Sequence, residues 1–571
     1  MSVRRDLVPS ELRTAWVEAG HTPGVDLRTL FDEQAKRHPD KVAVIDDEKS
    51  TTYAEIAEMA DRIAVLLQRW GVSRGDVVAI QFPNIAEACA ADLAVASVGA
   101  TCLAYPVLYR HNEVRSLLAR SGAVACLFVR RLRDFRGLHQ PPRTQFDYAA
   151  MMADLRPELP ALRHLGVLGD PADGCDSIDA LLHAGGPPPP RPAVAVGPFD
   201  PARILVTSGT EAAPKMVLYS HAAIGGGIAQ VLGALRPDDD TRFLLLPPLS
   251  TGFGSLGTYA ALARFGVTMA VTAAFDPAGV IKLIERERIT HMLAVPTMLA
   301  MMLATGSGDA DLSSLRVVGS FGAAMSEDRV RLTLATFGSR FVNGYGCSDG
   351  AICMTGWDDP PEKIAQTVGR PSPAMSEIRI LDDDGADLAV GEVGEVCARG
   401  PMSPLGYFES PELDELYRFD GGWVRTGDLG FFDAEGYLHI AGRKKDIIVR
   451  GGYNISPAET EAGLCKHPAI AEAACVGYPD ERLGERMCAF VVLAPGADAP
   501  TLAELETFLV ADGLARIKVP ERLEIIDAMP LNPTGKILKR VLRARFELGA
   551  SPASPKNTQA ERSLRRGQSS L

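Results

Sequence analysis

The sequence lacks the run of about 20 uninterrupted apolar residues that a membrane-spanning helix needs. Its most apolar stretches are broken by charge, by Glu87 and Asp92 in one and by Arg264 in another. The opening Met1-Ser-Val-Arg-Arg-Asp-Leu-Val-Pro9 has no apolar core segment, so no secretory signal is expected there. Basic residues are in deficit: 59 Lys and Arg against 72 Asp and Glu leave a formal charge of -13. That balance argues against a broad nucleic-acid-binding face and leaves room for a local basic pocket around a nucleotide. The 10 cysteines form no C-x-x-C pair. Cys102, Cys126 and Cys475 lie in apolar surroundings and read as buried free thiols of a reducing compartment; a zinc site or disulfide frame is not supported. The expectation is a cytoplasmic protein that binds neither membrane nor nucleic acid.

What is present fits a large soluble globular protein. At 571 residues, 46% hydrophobic and 23% charged, the chain is long enough for a large core and a second domain. From about residue 26 to 130, helical and strand signals alternate. Leu27–Arg37 has helical spacing, Val42–Ile45 is a short strand, and Tyr53–Trp70 is an amphipathic helix ended by Gly71. Val77–Ile80 is a second strand, followed by a helix over Ala86–Val98. Strand and helix in turn predict a layered α/β domain. Pro187–Pro192 reads as a stiff surface connector.

Four strand-to-loop junctions follow in order. Ile204–Val206 runs into Thr207-Ser-Gly-Thr-Glu-Ala-Ala-Pro-Lys-Met216, small hydroxyl residues, a glycine and a lysine of the kind that cradles phosphates. It is not the Walker loop, whose G-x-x-x-x-G-K-[ST] spacing is absent. Val317-Val318 opens into Gly319-Ser-Phe-Gly-Ala-Ala-Met325. Phe341-Val-Asn-Gly-Tyr-Gly-Cys-Ser-Asp349 and Trp423-Val-Arg-Thr-Gly-Asp428 each end in an acid. One such junction is as readily a plain turn; four in succession point to a ligand site, because ligands gather at strand ends in α/β sheets.

Gly442 to Glu459 then reads as a joint. A strand near Tyr437–Ile440 and a short one at Ile447–Val449 flank the basic Arg443-Lys-Lys-Asp446. Gly451 and Gly452 permit close approach to the backbone, and Ser456-Pro-Ala-Glu459 has the pattern of a capped helix start. Beyond it a small α+β unit is predicted, with strands near Ile470–Gly477, Met487–Leu493 and Leu523–Asp527 and a capped helix from Thr501. It closes on Pro533-Thr-Gly-Lys536, which presents a lysine on a tight turn. The predicted division is 1–441 for the large domain, 442–545 for the mobile small domain and 546–571 for a disordered tail.

Together these stretches resemble the adenylate-forming superfamily of acyl-CoA synthetases, luciferases and peptide-synthetase adenylation domains. The match covers about residues 25–542 and is most specific at Arg425-Thr-Gly-Asp428, Gly442-Arg-x-x-Asp446 and Pro533-Thr-Gly-Lys536. Within it the chain is most similar to medium-chain and cyclic-acid CoA ligases, on its Asp26–Ala43 and Phe146–Ala150 stretches. The resemblance implies an α/β fold and two half-reactions. A carboxylate attacks the α-phosphate of MgATP, giving an acyl-adenylate and pyrophosphate; the small domain rotates, and the thiol of coenzyme A displaces AMP. By motif, Thr207, Ser208, Gly209, Thr210 and Lys215 hold the β- and γ-phosphates. Gly322, Ala323 and Ala324 line the adenine, Tyr345 stacks on it, and Asn343, Gly344, Gly346 and Ser348 complete the nucleotide site. Asp428 binds the ribose hydroxyls beside Arg443, and Asp349 holds Mg2+. Lys536 neutralises charge in the adenylation transition state. Lys445 is the hinge; Gly451, Gly452 and Tyr453 border the tunnel for coenzyme A. Gly252, Phe253 and Gly254 line the acid.

The chain departs from the family pattern at the phosphate loop, where Glu211, Ala212 and Met216 replace Thr, Gly and Gly. Two like charges ~4 Å apart at an effective dielectric of 20 repel by ~4 kcal/mol, so an inward-pointing Glu211 would weaken triphosphate binding ~1000-fold. Two expectations stand side by side: a weak or lost first half-reaction with thioesterification of a supplied acyl-adenylate retained, or a solvent-facing Glu211 with modest loss. Ser348-Asp349 replaces Thr-Glu and shortens the reach to Mg2+ by one methylene. Leu249–Gly254 lacks the histidine of many relatives. Gly225, Gly226, Gly227, Gly252, Gly254 and Gly257 suggest a roomy pocket for a bulky or cyclic acid, close helix packing being the other reading. Loading of a separate carrier protein, a luciferase-type oxygenase and a non-catalytic sensor of acyl-AMP are the alternatives. A homodimer is among the assemblies left open.

Overall fold

Two extended eight-stranded sheets organise the first part of the chain in the computed structural model, which describes residues 6–132, 146–186, 190–191, 193–207, 214–322, 325, 327–450, 453–480, 482–531 and 536–547. In one sheet the strands Val317–Phe321, Arg340–Cys347, His291–Ala294, Arg242–Leu245, Thr268–Val271 and Val42–Ile45 run parallel, closed at both edges by antiparallel partners. In the other, Val77–Gln81 pairs in parallel with Thr101–Ala104 and Ala125–Val129, and Thr101–Ala104 with Pro201–Val206; Pro201–Val206 turns back antiparallel into Met216–Ser220. Central strands such as Val77–Gln81 are buried on both faces, as parallel strands covered by helices must be. The predicted layered α/β class is the observed one.

One core cluster joins the two sheets, with Val44, Phe243 and Met269 from one and Val78, Leu103 and Ile204 from the other. Helices fill the space between. Tyr53–Arg69 begins on a capping box made by Thr52 and Glu55 and ends before Gly71, at φ +74°. Leu27–Arg37 is capped by the Asp26 carboxylate. A third sheet is antiparallel and carries Gly394–Arg399, Trp423–Phe432 and Leu438–Arg443.

Two segments are π-helical, Ile224–Ile228 and Leu256–Arg264, a rare geometry found mostly at functional sites. Their glycines correct the expectation of open volume. A Cβ on Gly226 would lie 2.6 Å from Thr22 Cα, one on Gly227 2.3 Å from the Met402 nitrogen, and one on Gly257 2.5 Å from Leu249 Cδ2. Other parts of the chain fill the space these glycines leave, so they serve close packing.

The chain divides into two compact units, one of residues 1–444 with 532–536 and one of residues 445–531 with 537–571. In the second, Ile470–Asp480 and Gly484–Leu493 form a long antiparallel pair, joined by Ile448–Arg450 and, in parallel, by Arg522–Ile525. Leu464, Leu505 and Leu509 are among the side chains buried on one face of this sheet. The capping box at Thr501 forms with Glu504. That at Ser456 does not: Ser456 stands at the N-cap without a side-chain cap bond, and Glu459 pairs with Lys518. Phe546, assigned to the tail from the sequence, belongs to the helix Lys539–Glu547 and stacks on Tyr478. The segments 548–571 and most of Pro187–Pro192 lie outside the described residues. Cys102, Cys126 and Cys475 are buried and free. No helix among the described residues is long and apolar enough to cross a membrane.

Candidate functional site

Thr207 and Lys215 close the base of the suspected phosphate loop. The Thr207 N–H donates to the Lys215 carbonyl (2.9 Å), and the Lys215 N–H to Thr207 Oγ1 (3.1 Å). Arg120 donates to the Pro214 carbonyl at 2.8 Å. Ser208, Gly209, Thr210, Glu211 and Ala212 lie outside the described residues. Met216 is the first residue of the next strand and is 1% exposed, packed in the main core. It therefore places no side chain into the loop.

Lys215 and Asp349 meet. The Lys215 Nζ is 3.5 Å from Asp349 Oδ1 and 3.5 Å from the centre of the Tyr417 ring, with the Tyr407 ring 5.3 Å away. The Tyr407 hydroxyl donates to Asp349 Oδ1 at 2.5 Å. Burial and the Asp349 charge push the Tyr407 phenol well above its ordinary range, which keeps it a donor. Ser348 is fixed through its carbonyl, which accepts from the buried Tyr219 hydroxyl at 2.7 Å. Tyr219, Tyr407 and Tyr417 were not singled out from the sequence. The Gly406-Tyr407 pair was the available signal, since a short glycine-initiated strand can pair with Met216–Ser220.

The other strand ends converge on Asp428. The strands Val317–Phe321 and Arg340–Cys347 run in parallel register, Phe321 opposite Gly344. A Cβ on Gly344 would lie 2.0 Å from the Phe321 ring, so glycine lets that ring lie flat on the strand. Tyr345 packs against the cluster of Cys353, Ile380, Val396 and Leu438, and its hydroxyl donates to Asp428 Oδ2 at 2.6 Å. Burial and the Asp428 charge raise the Tyr345 pKa, so this donor persists at every working pH. Asp428 is 4% exposed. Arg443, opposite it on the neighbouring strand, meets its Oδ1 at 2.9 Å. A nearly buried carboxylate held by a phenol and a guanidinium is an ionised acceptor aimed by its neighbours.

The side-chain amide of Asn343 donates to the Ile364 and Thr367 carbonyls, both at 3.2 Å, while Oδ1 is buried with no protein partner. Gly322, at φ +105°, has Lys536 Cε 3.8 Å from where its Cβ would stand; Ala323 and Ala324 lie outside the described residues. Lys536 keeps exposed surface, yet crowding by protein around its ammonium, and then the Arg443 charge, hold its pKa below the ordinary lysine value against the opposing pull of Asp428.

On the suspected acid side, Phe253 tilts against Phe321, ring centres 4.7 Å apart, and lies 3.6 Å from the Cβ position of Gly346. Gly252 has open van der Waals space, with Leu205 Cδ1 and the Ser348 Oγ at 3.6 Å. Gly254 does not: its Cβ would collide with the Pro248 carbonyl at 1.8 Å. In the second unit Lys445 is the first residue, Tyr453 is 64% exposed, and Gly451 and Gly452 lie outside the described residues.

The model of the AMP-binding enzyme family matches residues 31–408, and that of the AMP-binding enzyme C-terminal domain matches 459–536. Triostin synthetase I of Streptomyces triostinicus is 35% identical over 540 residues, 94% of this chain and 97% of that protein. The 2-hydroxy-7-methoxy-5-methyl-1-naphthoate–CoA ligase of Streptomyces carzinostaticus is 32% identical over 559 residues, 94% of this chain and 96% of that protein. Among solved structures, the amide bond synthetase McbA of Marinactinospora thermotolerans superposes with a TM-score of 0.79 at 31% identity, covering 91% of this chain and 99% of that one.

Proposed function

The chain belongs to the AMP-binding enzyme family and is an adenylate-forming enzyme, and on that premise we propose that it activates an aromatic or cyclic carboxylic acid as its acyl-adenylate and passes the acyl group to the thiol of coenzyme A. The observation that carries this reading is the Tyr345–Asp428–Arg443 linkage, an ionised carboxylate suited to the two hydroxyls of a ribose. The Tyr345 ring is the platform for adenine, and Lys536 offsets negative charge as the acid's oxygen attacks the α-phosphate and pyrophosphate leaves. Keeping an ammonium poised there demands the opposite charge of Asp428, since burial and Arg443 both disfavour it.

Among the described residues no three metal-ligating side chains gather. That suits Mg2+, which takes one or two carboxylates, phosphate oxygens and water. Asp349 would hold the ion, whose charge would offset that of the phosphates.

Two features favour an aromatic acid. The partly buried Phe253 ring, tilted against the buried Phe321 ring, offers an aromatic surface, and a relative over nearly the whole length is named as a naphthoate–CoA ligase. The glycine-rich helices no longer enter the argument. The first half-reaction is the slower of the two in this reading: Glu211 adds negative charge to the loop, although Met216 no longer counts against it.

The test compares a panel of aromatic acids with MgATP and coenzyme A against the matching synthetic acyl-adenylates with coenzyme A, reading acyl-CoA. Faster product from the adenylate is expected; equal rates remove the slow first step. Acyl transfer to a phosphopantetheine carrier or an amine in place of coenzyme A would overturn the thiol assignment, and the McbA likeness makes the amine arm worth including.

A further inference from the structure

Lys215 is held between two tyrosine rings and Asp349. Its Nζ stands 3.5 Å over the Tyr417 ring, 5.3 Å from the Tyr407 ring and 3.5 Å from Asp349 Oδ1, and the two tyrosine rings are 5.9 Å apart at 55°. The Lys215 and Asp349 side chains are only 15% and 11% exposed, so their attraction is screened less than on an open surface. The seat is fastened from below. Tyr407 sits in the strand Gly406–Tyr407, paired with Val217 beside the loop, and its N–H donates to Asp414 Oδ1 at 3.1 Å. Asp414 and Tyr417 share the helix Pro411–Tyr417, which the buried Arg418 ties to the Leu405 and Pro404 carbonyls.

We propose that Tyr417, with Tyr407, is a positioning residue: an aromatic seat that holds the Lys215 ammonium beside Asp349, so that the phosphate-binding cation and the metal-binding carboxylate are set next to one another before ATP arrives. The proposal rests on the adenylation reading, in which Lys215 meets the triphosphate. A lysine ammonium on four rotatable bonds is otherwise free to sample many directions, and the loss of that freedom would weigh against ATP binding. A cation over a ring face, partly desolvated, is held by electrostatic attraction that an aliphatic side chain cannot supply.

The experiment compares Tyr417→Phe, Tyr417→Leu and the unaltered chain in three measurements. The first is KM for ATP in adenylate formation; the second is the rate of thioesterification of a synthetic acyl-adenylate; the third is acylation of Lys215 by a water-soluble amine reagent, read by peptide mass spectrometry with no nucleotide present. Tyr417→Leu should raise KM for ATP about three- to tenfold and speed Lys215 labelling severalfold, leaving the adenylate-to-thioester rate unchanged. Tyr417→Phe keeps the ring and should behave as the unaltered chain. An unchanged KM and labelling rate in Tyr417→Leu overturns the seat, as does equal loss in Tyr417→Phe. A misfolded variant is recognised because all lysines label faster, and Tyr417→Met then replaces it. If the unaltered chain makes no adenylate from ATP, the functional reading falls; unchanged Lys215 labelling in that case overturns the seat on its own.

Discussion

Tyr345 is given two tasks, and two substitutions separate them. In the proposed reading its ring is the adenine platform, and its hydroxyl aims Asp428 through a 2.6 Å bond. Tyr345→Phe keeps the ring and removes only the hydroxyl. A hydrogen bond to an ionised group contributes about 1.5–3 kcal/mol. Arg443 still meets the other carboxylate oxygen at 2.9 Å and retains part of the alignment, so the lower end applies, a loss of about tenfold in affinity for a non-hydrolysable acyl-adenylate. Tyr345→Leu also removes the stacking surface, valued at about 1–3 kcal/mol per base, and should lose a further tenfold or more. Titration calorimetry with an acyl-sulfamoyl adenosine reads both. Chemical denaturation of each variant guards against a trivial cause, since Tyr345 also packs on Cys353 and Val396. Binding by Tyr345→Phe within twofold of the unaltered chain would show that the hydroxyl does not orient Asp428. Equal losses in Phe and Leu would refute the platform.

Three other outcomes follow from the same structure. Gly227→Ala drives a methyl to 2.3 Å from the Met402 backbone and should destabilise the fold by about 1–3 kcal/mol or more in urea titrations, whereas Gly252→Ala, with its nearest neighbours at 3.6 Å, should fold normally and alter only the choice of acid. His221 is buried, its Nε2 without a protein partner, and burial lowers its pKa to about 4. The unfolded chain takes up this proton at about pH 6.5 and the folded one only near 4, so stability should fall as pH drops through that window, by on the order of 3 kcal/mol; His221→Asn should flatten the decline in melting temperature. Lys536 has a lowered pKa, so adenylation should fall on the alkaline side below the usual lysine range of about 10.4, and Lys536→Arg should move that limb upward.

Local signals made much of the fold readable. The capping pairs Thr52–Glu55 and Thr501–Glu504 announced two helices, and short β-branched runs such as Val42–Ile45 announced strands. Ser456–Glu459 had the same pattern but no box, because Lys518, distant in sequence, takes Glu459. The glycines of Ile224–Ile228 show the limit more sharply: small residues are consistent with open volume and with tight packing alike, and only Thr22 and Met402, far away in the chain, decide between them. At the site, motif spacing nominated Tyr345, Asp428 and Arg443 individually, but not the phenol–carboxylate bond between the first two. Tyr417 gave no sequence signal, since a tyrosine that seats a lysine looks like any other half-buried aromatic until the helix carrying it is placed.

The most direct test of the central claim is the fate of ATP phosphates in a single turnover with an aromatic acid. Acid-dependent appearance of enzyme-bound acyl-AMP with one equivalent of pyrophosphate is the result the account predicts. Release of ADP and orthophosphate, or of AMP at a rate indifferent to the acid, would contradict it.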